Sequence, residues 1–170
     1  RLRGIDTGID DESPICIFVM GANVWRGENE WPLARTKYKN YYLNGSPSNS
    51  RHGCGLLQES RPLDSGSNIY DYDPEIPVWT QGGPIMHREY AGPHDRGKIE
   101  QRNDVLVYTT DILKEDVEVT GPIEMILYAS SSAKDTDFAT TLVDVYPDDR
   151  AIHICEGIQR ARYRESITTA

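Results

Sequence analysis

The sequence predicts an all-β chain, a β-sandwich or jelly roll, on three observations. Short apolar or alternating runs recur along its length. Clusters of Gly, Pro, Asn, Asp and Ser separate them. No stretch sustains the period of a helix, and the single helical scrap expected is at residues 1–6.

The elements follow in order. Ile15-Cys16-Ile17-Phe18-Val19-Met20 is a continuous apolar run, which predicts a strand covered on both faces. Residues 21–32 read as a polar loop carrying Trp25 and Trp31, and residues 38–43 as the next strand. Gly, Ser, Asn and Pro crowd residues 45–55, which predicts loop. Residues 66–97 hold many turn formers and several aromatics, and a loop of that length in a compact domain usually serves function or docking. Beyond Asp104 the pattern becomes regular. Strands are predicted at 105–108, 117–120, 123–129 and 138–146, the last closed by Pro147-Asp148-Asp149, and then at 151–154 and 160–163. Ile126, Leu127, Phe138, Leu142, Val143 and Val145 are expected to supply much of the core. Cys16 and Cys155, which lie in apolar runs, are expected there too.

With 170 residues, the chain suits one domain with one real core. Its apolar fraction of 38% is too high for a disordered chain. A net charge of −9 repels phosphate backbones and anionic lipid, so neither nucleic acid nor a membrane is an expected partner. No apolar run approaches the roughly 20 residues of a membrane span, and the first residues lack the apolar core of a signal peptide. Cys16, Cys54 and Cys155 form no CxxC pair. Neither a zinc knuckle nor a redox dithiol is indicated, and reduced thiols suit a cytoplasmic protein.

The chemistry of an independent enzyme is missing. An α/β-hydrolase presents its serine on a Gly-x-Ser-x-Gly elbow, and none occurs here. There is no Gly-rich phosphate loop and no HExxH. No catalytic residue, metal or cofactor is therefore expected. Asp71 with Asp73, and Asp135 with Asp137, could offer oxygens to calcium, but neither pair continues into a calcium loop, and turn or strand-start aspartates are the plainer reading. His87 and His94 share one loop without a supporting Cys or carboxylate pattern, and read as solvated. Glu28, Glu30, Asp148 and Asp149 could pair as acid and base, but surface carboxylates are the plainer reading. Trp25, Trp31 and Trp79 could stack on a sugar, although loop aromatics more often pack their own loop down.

An ordered series of motifs carries a family resemblance. Ile17-Phe18-Val19-Met20-Gly21, Trp25-Arg26 and Trp31-Pro32-Leu33 open it. Tyr41-Tyr42-Leu43, Tyr72-Asp73-Pro74 with Pro77, and Gly82-Gly83 continue it. Residues 104–109, 119–122 and 129–132 follow. The most specific stretch is Asp135-Thr136-Asp137-Phe138 through Leu142-Val143-Asp144-Val145-Tyr146-Pro147-Asp148, joined by Gly157-Ile158 and residues 160–165. From about residue 15 to 166 the chain resembles the C-terminal non-catalytic domain of acyl esterases of the cocaine-esterase type and X-Pro dipeptidyl-peptidases.

The resemblance implies a galactose-binding-domain-like jelly roll that stops short of its last strands. Residues 1–13 would be the linker from a preceding hydrolase domain, and 14–170 the jelly roll, incomplete. The catalytic triad would lie in that preceding N-terminal α/β-hydrolase domain, the main partner, and no triad position carries over. Ile85, Met86 and His87 match the stretch by which such a domain reaches the pocket for an ester, amide or peptide substrate. A homo-oligomer is compatible with this reading. The alternative is a free-standing carbohydrate-binding jelly-roll module, since fold does not fix function. Glycan binding by the isolated chain would separate the two.

Overall fold

The computed structural model describes residues 4–45, 55–63 and 66–168. The chain is nearly all β, with seven strands and one short helix among the described residues. It divides into two compact units. One gathers the chain up to Asn40 together with Leu113–Glu124, and the other gathers Tyr41–Ile112 with the chain from Met125 onward.

The first unit is built on a hairpin of β1 (Ile15–Val19) and β2 (Val24–Glu28), antiparallel with Val19 opposite Val24. The turn needs left-handed backbone at Gly21 (φ 83°) and Asn23 (φ 56°), two residue types that tolerate it. It closes with the Asn23 N–H donating to the Val19 carbonyl at 2.8 Å. Two sequence expectations fail here. The apolar run of β1 alternates half-buried with exposed, with Cys16 and Phe18 outside, so it is covered on one face only. Residues 21–32 are not all loop, because β2 lies within them. Trp25 packs its ring on Phe18 across the hairpin, with centroids 5.3 Å apart. Among the described residues of this unit, Leu33 is the buried apolar one, beside a Trp31–Pro32 peptide that is cis.

The second unit holds two sheets. β3 (Tyr42–Asn44) pairs antiparallel with β4 (Gly55–Gln58), and β4 pairs parallel with β5 (Tyr108–Thr109). β6 (Asp137–Val145) and β7 (Ala151–Arg160) form a long antiparallel hairpin. Its turn falls on the predicted Pro147-Asp148-Asp149, with Asp149 at φ 70°. Arg150 completes the turn by pairing with Asp148 at 2.8 Å and lying over the Tyr146 ring. The strand expected at 151–154 runs on to Arg160, and residues 161–163 form a 3-10 turn instead of a strand. A helix of one turn, α1 (Gly97–Glu100), buries Ile99 almost completely.

The expected core is mostly displaced. Among the described residues of this unit, Ile99, Val107 and Ala151 are the buried apolar ones. Phe138, Leu142 and Val143 are half-buried, whereas Ile126, Leu127 and Val145 are exposed. Residues 117–120 and 123–129 carry no strand ladder among the described residues, despite the alternation of the first and the apolar run of the second. Residues 4–6 are not helical, and residues 1–3 of the expected scrap lie outside the described residues. Cys155 is half-buried, and Cys54 lies outside the described residues.

Candidate functional site

Residues 81–96 form a loop with a closed neck, entirely within the second unit. Gly83 and Gly92 exchange both backbone hydrogen bonds, at 2.9 and 3.0 Å. The Gly82 N–H donates to the Tyr90 carbonyl at 3.0 Å, and the Tyr90 and Ala91 N–H groups both donate to the His87 carbonyl. Above the neck, Ile85 is half-buried and Met86 stands fully in solvent, at 106% of its reference exposure. His87 is exposed and stacks on Tyr90, with ring centroids 4.6 Å apart.

The neck is fixed to β7. The Arg96 guanidinium donates to the Gln81 carbonyl at 2.7 Å, and Gln81 donates its side-chain N–H to the Asp95 carbonyl at 2.9 Å. Asp95 accepts from the Ala151 and Gly97 amides. The Arg96 N–H donates to the Ala151 carbonyl, and the His153 N–H to the His94 carbonyl. Burial draws the Arg96 guanidinium below its ordinary value, with Glu156 and Glu100 opposing that shift. His94 places its ring nitrogen 3.1 Å from the Ala91 carbonyl, inside the same loop. His87 and His94 therefore each have a local partner.

Most of the other candidate residues have local partners too. Asp137 grips Arg160 directly across the β6–β7 ladder, at 2.8 Å twice. Asp135 accepts from the side chain and amide of Arg162. These arginines hold both carboxylates below their usual range, Asp135 against the opposing pull of its own desolvation. Asp71 and Asp73 line a shallow, open hollow with Ile76, Gln101, Arg102, Asn103 and Asp104, and Asp73 also caps the Glu75 amide at 2.9 Å. In the first unit, Glu28 is held by Arg35 and Arg26, and Glu30 accepts from the Ala34 amide. Trp79 is covered by the Arg102 guanidinium. Among the described residues, no group of three His, Cys, Asp or Glu side chains gathers to hold a metal. Among the described residues, no helix is long and apolar enough to cross a membrane.

Residues 7–170 match the family described as the X-Pro dipeptidyl-peptidase C-terminal non-catalytic domain. The chain belongs to that family. Among curated proteins it is 45% identical to the cocaine esterase of a Rhodococcus species, over 98% of this chain and 29% of that protein. Proteins named as serine esterases in Mycobacterium bovis and Mycobacterium tuberculosis are each 30% identical over 96% of this chain and 25% of their own length. The chain therefore spans less than a third of the relatives it matches.

As a member of this non-catalytic family, the chain joins the most specific stretch of its resemblance, on β6, to Gly157-Ile158 and Arg160 on β7 in one hairpin. Asp137 and Phe138 on β6 face Arg160 and Gln159 on β7. Of the expected pocket residues, Ile85, Met86 and His87 sit together at one loop tip. The residues beneath them were not singled out from the sequence. Arg96 and Gln81 carry no motif. His153 does leave a signal, as the single polar residue within Ala151-Ile152-His153-Ile154.

Proposed function

We propose that this chain is the jelly-roll domain of a serine hydrolase, packing on an α/β-hydrolase domain of the same protein and walling its substrate pocket with Ile85, Met86 and His87. The observation that carries the reading is Met86. A large apolar side chain stands wholly in solvent at the tip of a loop whose neck is hydrogen-bonded shut. A lone exposed apolar residue is ordinary, but here the backbone below it is fixed, so exposure costs the chain little adaptability and offers a rigid contact. The 45% identical cocaine esterase, of which this chain spans 29%, supports a catalytic domain elsewhere in the same protein. Apolar walls suit the acyl or aromatic part of an ester, amide or X-Pro peptide, and the catalytic domain would supply the serine, histidine and acid.

The test uses the protein in which this chain follows its hydrolase domain. Met86→Ala is compared with wild type on activated esters of small and large acyl groups and on an X-Pro anilide. The ratio of kcat/KM between large and small substrates should shift by about tenfold, at the low end of what one apolar contact contributes to discrimination, while the unfolding free energy stays within about 0.5 kcal/mol of wild type. An unchanged ratio across every acyl size removes the pocket role.

A further inference from the structure

Among the described residues, His153 is the buried group least accounted for. Its side chain is 2% exposed, and its Nε2 has no hydrogen-bond partner among the described residues. The Glu156 carboxylate lies 3.6 Å from that nitrogen, beyond hydrogen-bond reach. A buried nitrogen left unpaired is costly, and an apolar side chain in the same space would avoid the cost.

What lies against the ring is the neck of the loop. A Cβ placed on Gly82 would sit 3.1 Å from the His153 Cβ and 2.9 Å from the Gly92 carbonyl oxygen. One on Gly83 would sit 3.1 Å from Cε1 and 3.2 Å from Nε2 of the imidazole, and 3.1 Å from a Glu156 oxygen. Both glycines are buried and take left-handed backbone, at φ 82° and 81°. Two bare backbone units therefore rest on a flat ring, and no side chain fits between them.

The strand beneath is shaped for this. Along a regular strand, residues three apart face opposite sides. β7 carries one extra residue at Ile154, since Leu142 faces Cys155 while Val143 faces His153. That bulge turns Glu156 back to the side of His153, so both line the floor of the neck.

We infer that His153 is the positioning residue of the Ile85–Met86 loop: its imidazole, with Glu156 beside it, forms the floor on which the Gly82–Gly83 neck is set, and so fixes the direction in which Met86 leaves the domain. The inference rests on the reading that this loop walls a substrate pocket. Replacing the flat ring by a branched aliphatic group changes the shape of the floor, tilts the neck and moves Met86.

The experiment uses the full protein and two variants, His153→Leu and Gly83→Ala. Gly83→Ala leaves the imidazole in place and presses on it from above, so it also serves if His153→Leu fails to fold. Two readouts are taken. The first is the ratio of kcat/KM for a large and a small acyl ester of 4-nitrophenol. Loss of folded enzyme lowers both rates equally and leaves this ratio alone, so the ratio separates positioning from simple destabilisation. The second is hydrogen exchange over residues 81–92, which reports the Gly83–Gly92 hydrogen bonds directly. Each variant should shift the ratio by about tenfold and speed exchange across the neck. A folded variant with wild-type ratio and wild-type exchange overturns the inference. Met86→Ala keeps the two readings apart. If it leaves the ratio unchanged, the pocket role falls and takes the substrate role of His153 with it. Faster exchange in His153→Leu would then still uphold its hold on the neck.

Discussion

Glu118 shows how much a single ion pair shapes the first unit. Arg26 reaches it from β2 with two hydrogen bonds, at 2.7 and 3.1 Å, and the Thr120 hydroxyl adds a third. The Arg26 bonds, with Thr120 second, pull the carboxyl down to about 2 from its ordinary 4.5. Because the folded value lies below the ordinary one, the pair stabilises fully above pH 4.5 and loses that contribution as pH falls towards 2. Both partners are partly in water, so the effect is modest and screened by salt. In low salt, the melting temperature should fall more steeply between pH 5 and pH 2 for wild type than for Glu118→Gln. Equal slopes would mean the pair contributes nothing. The same chemistry recurs at Asp137 with Arg160 and Asp135 with Arg162, so acid should also loosen the end of the β6–β7 hairpin.

At the scale of elements, α1 matters more than its length suggests. Four residues cannot form a stable helix alone, yet they seat Ile99 at 1% exposure. Ile99→Ala should cost about 2–5 kcal/mol in a denaturant titration. Ile126→Ala, at a side chain 70% exposed, should stay within about 0.5 kcal/mol. The reverse ranking would place the core of this unit elsewhere. Sequence patterns favoured Ile126, because it lies in an apolar run broken only by Glu124. Such a run tells that a strand can be buried but not which strand will pair with it. Residues 138–146 were legible because a Pro-Asp-Asp turn sends the chain straight back on itself, so the partner is local. β2 was hidden behind Trp25, Arg26 and Gly27, which look like a loop when read singly; only the ladder to β1 shows that Trp25 has Phe18 to cover it. That residues 81–96 form a loop was legible from the double glycine and the turn formers around it. Its floor was not, because the bulge at Ile154 that pairs His153 with Glu156 leaves no mark in the one-dimensional pattern.

Across the whole molecule, the unpaired apolar segments have a consequence for handling and for life in the cell. Residues 123–129 read Ile-Glu-Met-Ile-Leu-Tyr-Ala, with one charge and no proline. Ile123, Met125, Ile126, Leu127 and Tyr128 are all exposed, and no strand is laddered to them among the described residues. Short β-prone stretches of low charge are templates for cross-β stacking when nothing covers them. The chain on its own should therefore self-assemble as its concentration rises, seen as growing light scattering and thioflavin fluorescence at neutral pH. Ile126→Lys, which sets a positive charge in the middle of the stretch, should delay both signals without lowering the melting temperature. Equal lag times for the two proteins would point to another segment as the seed. Any larger protein that carries this domain would then gain from covering residues 123–129 early in synthesis, before a second ribosome's product can stack upon them.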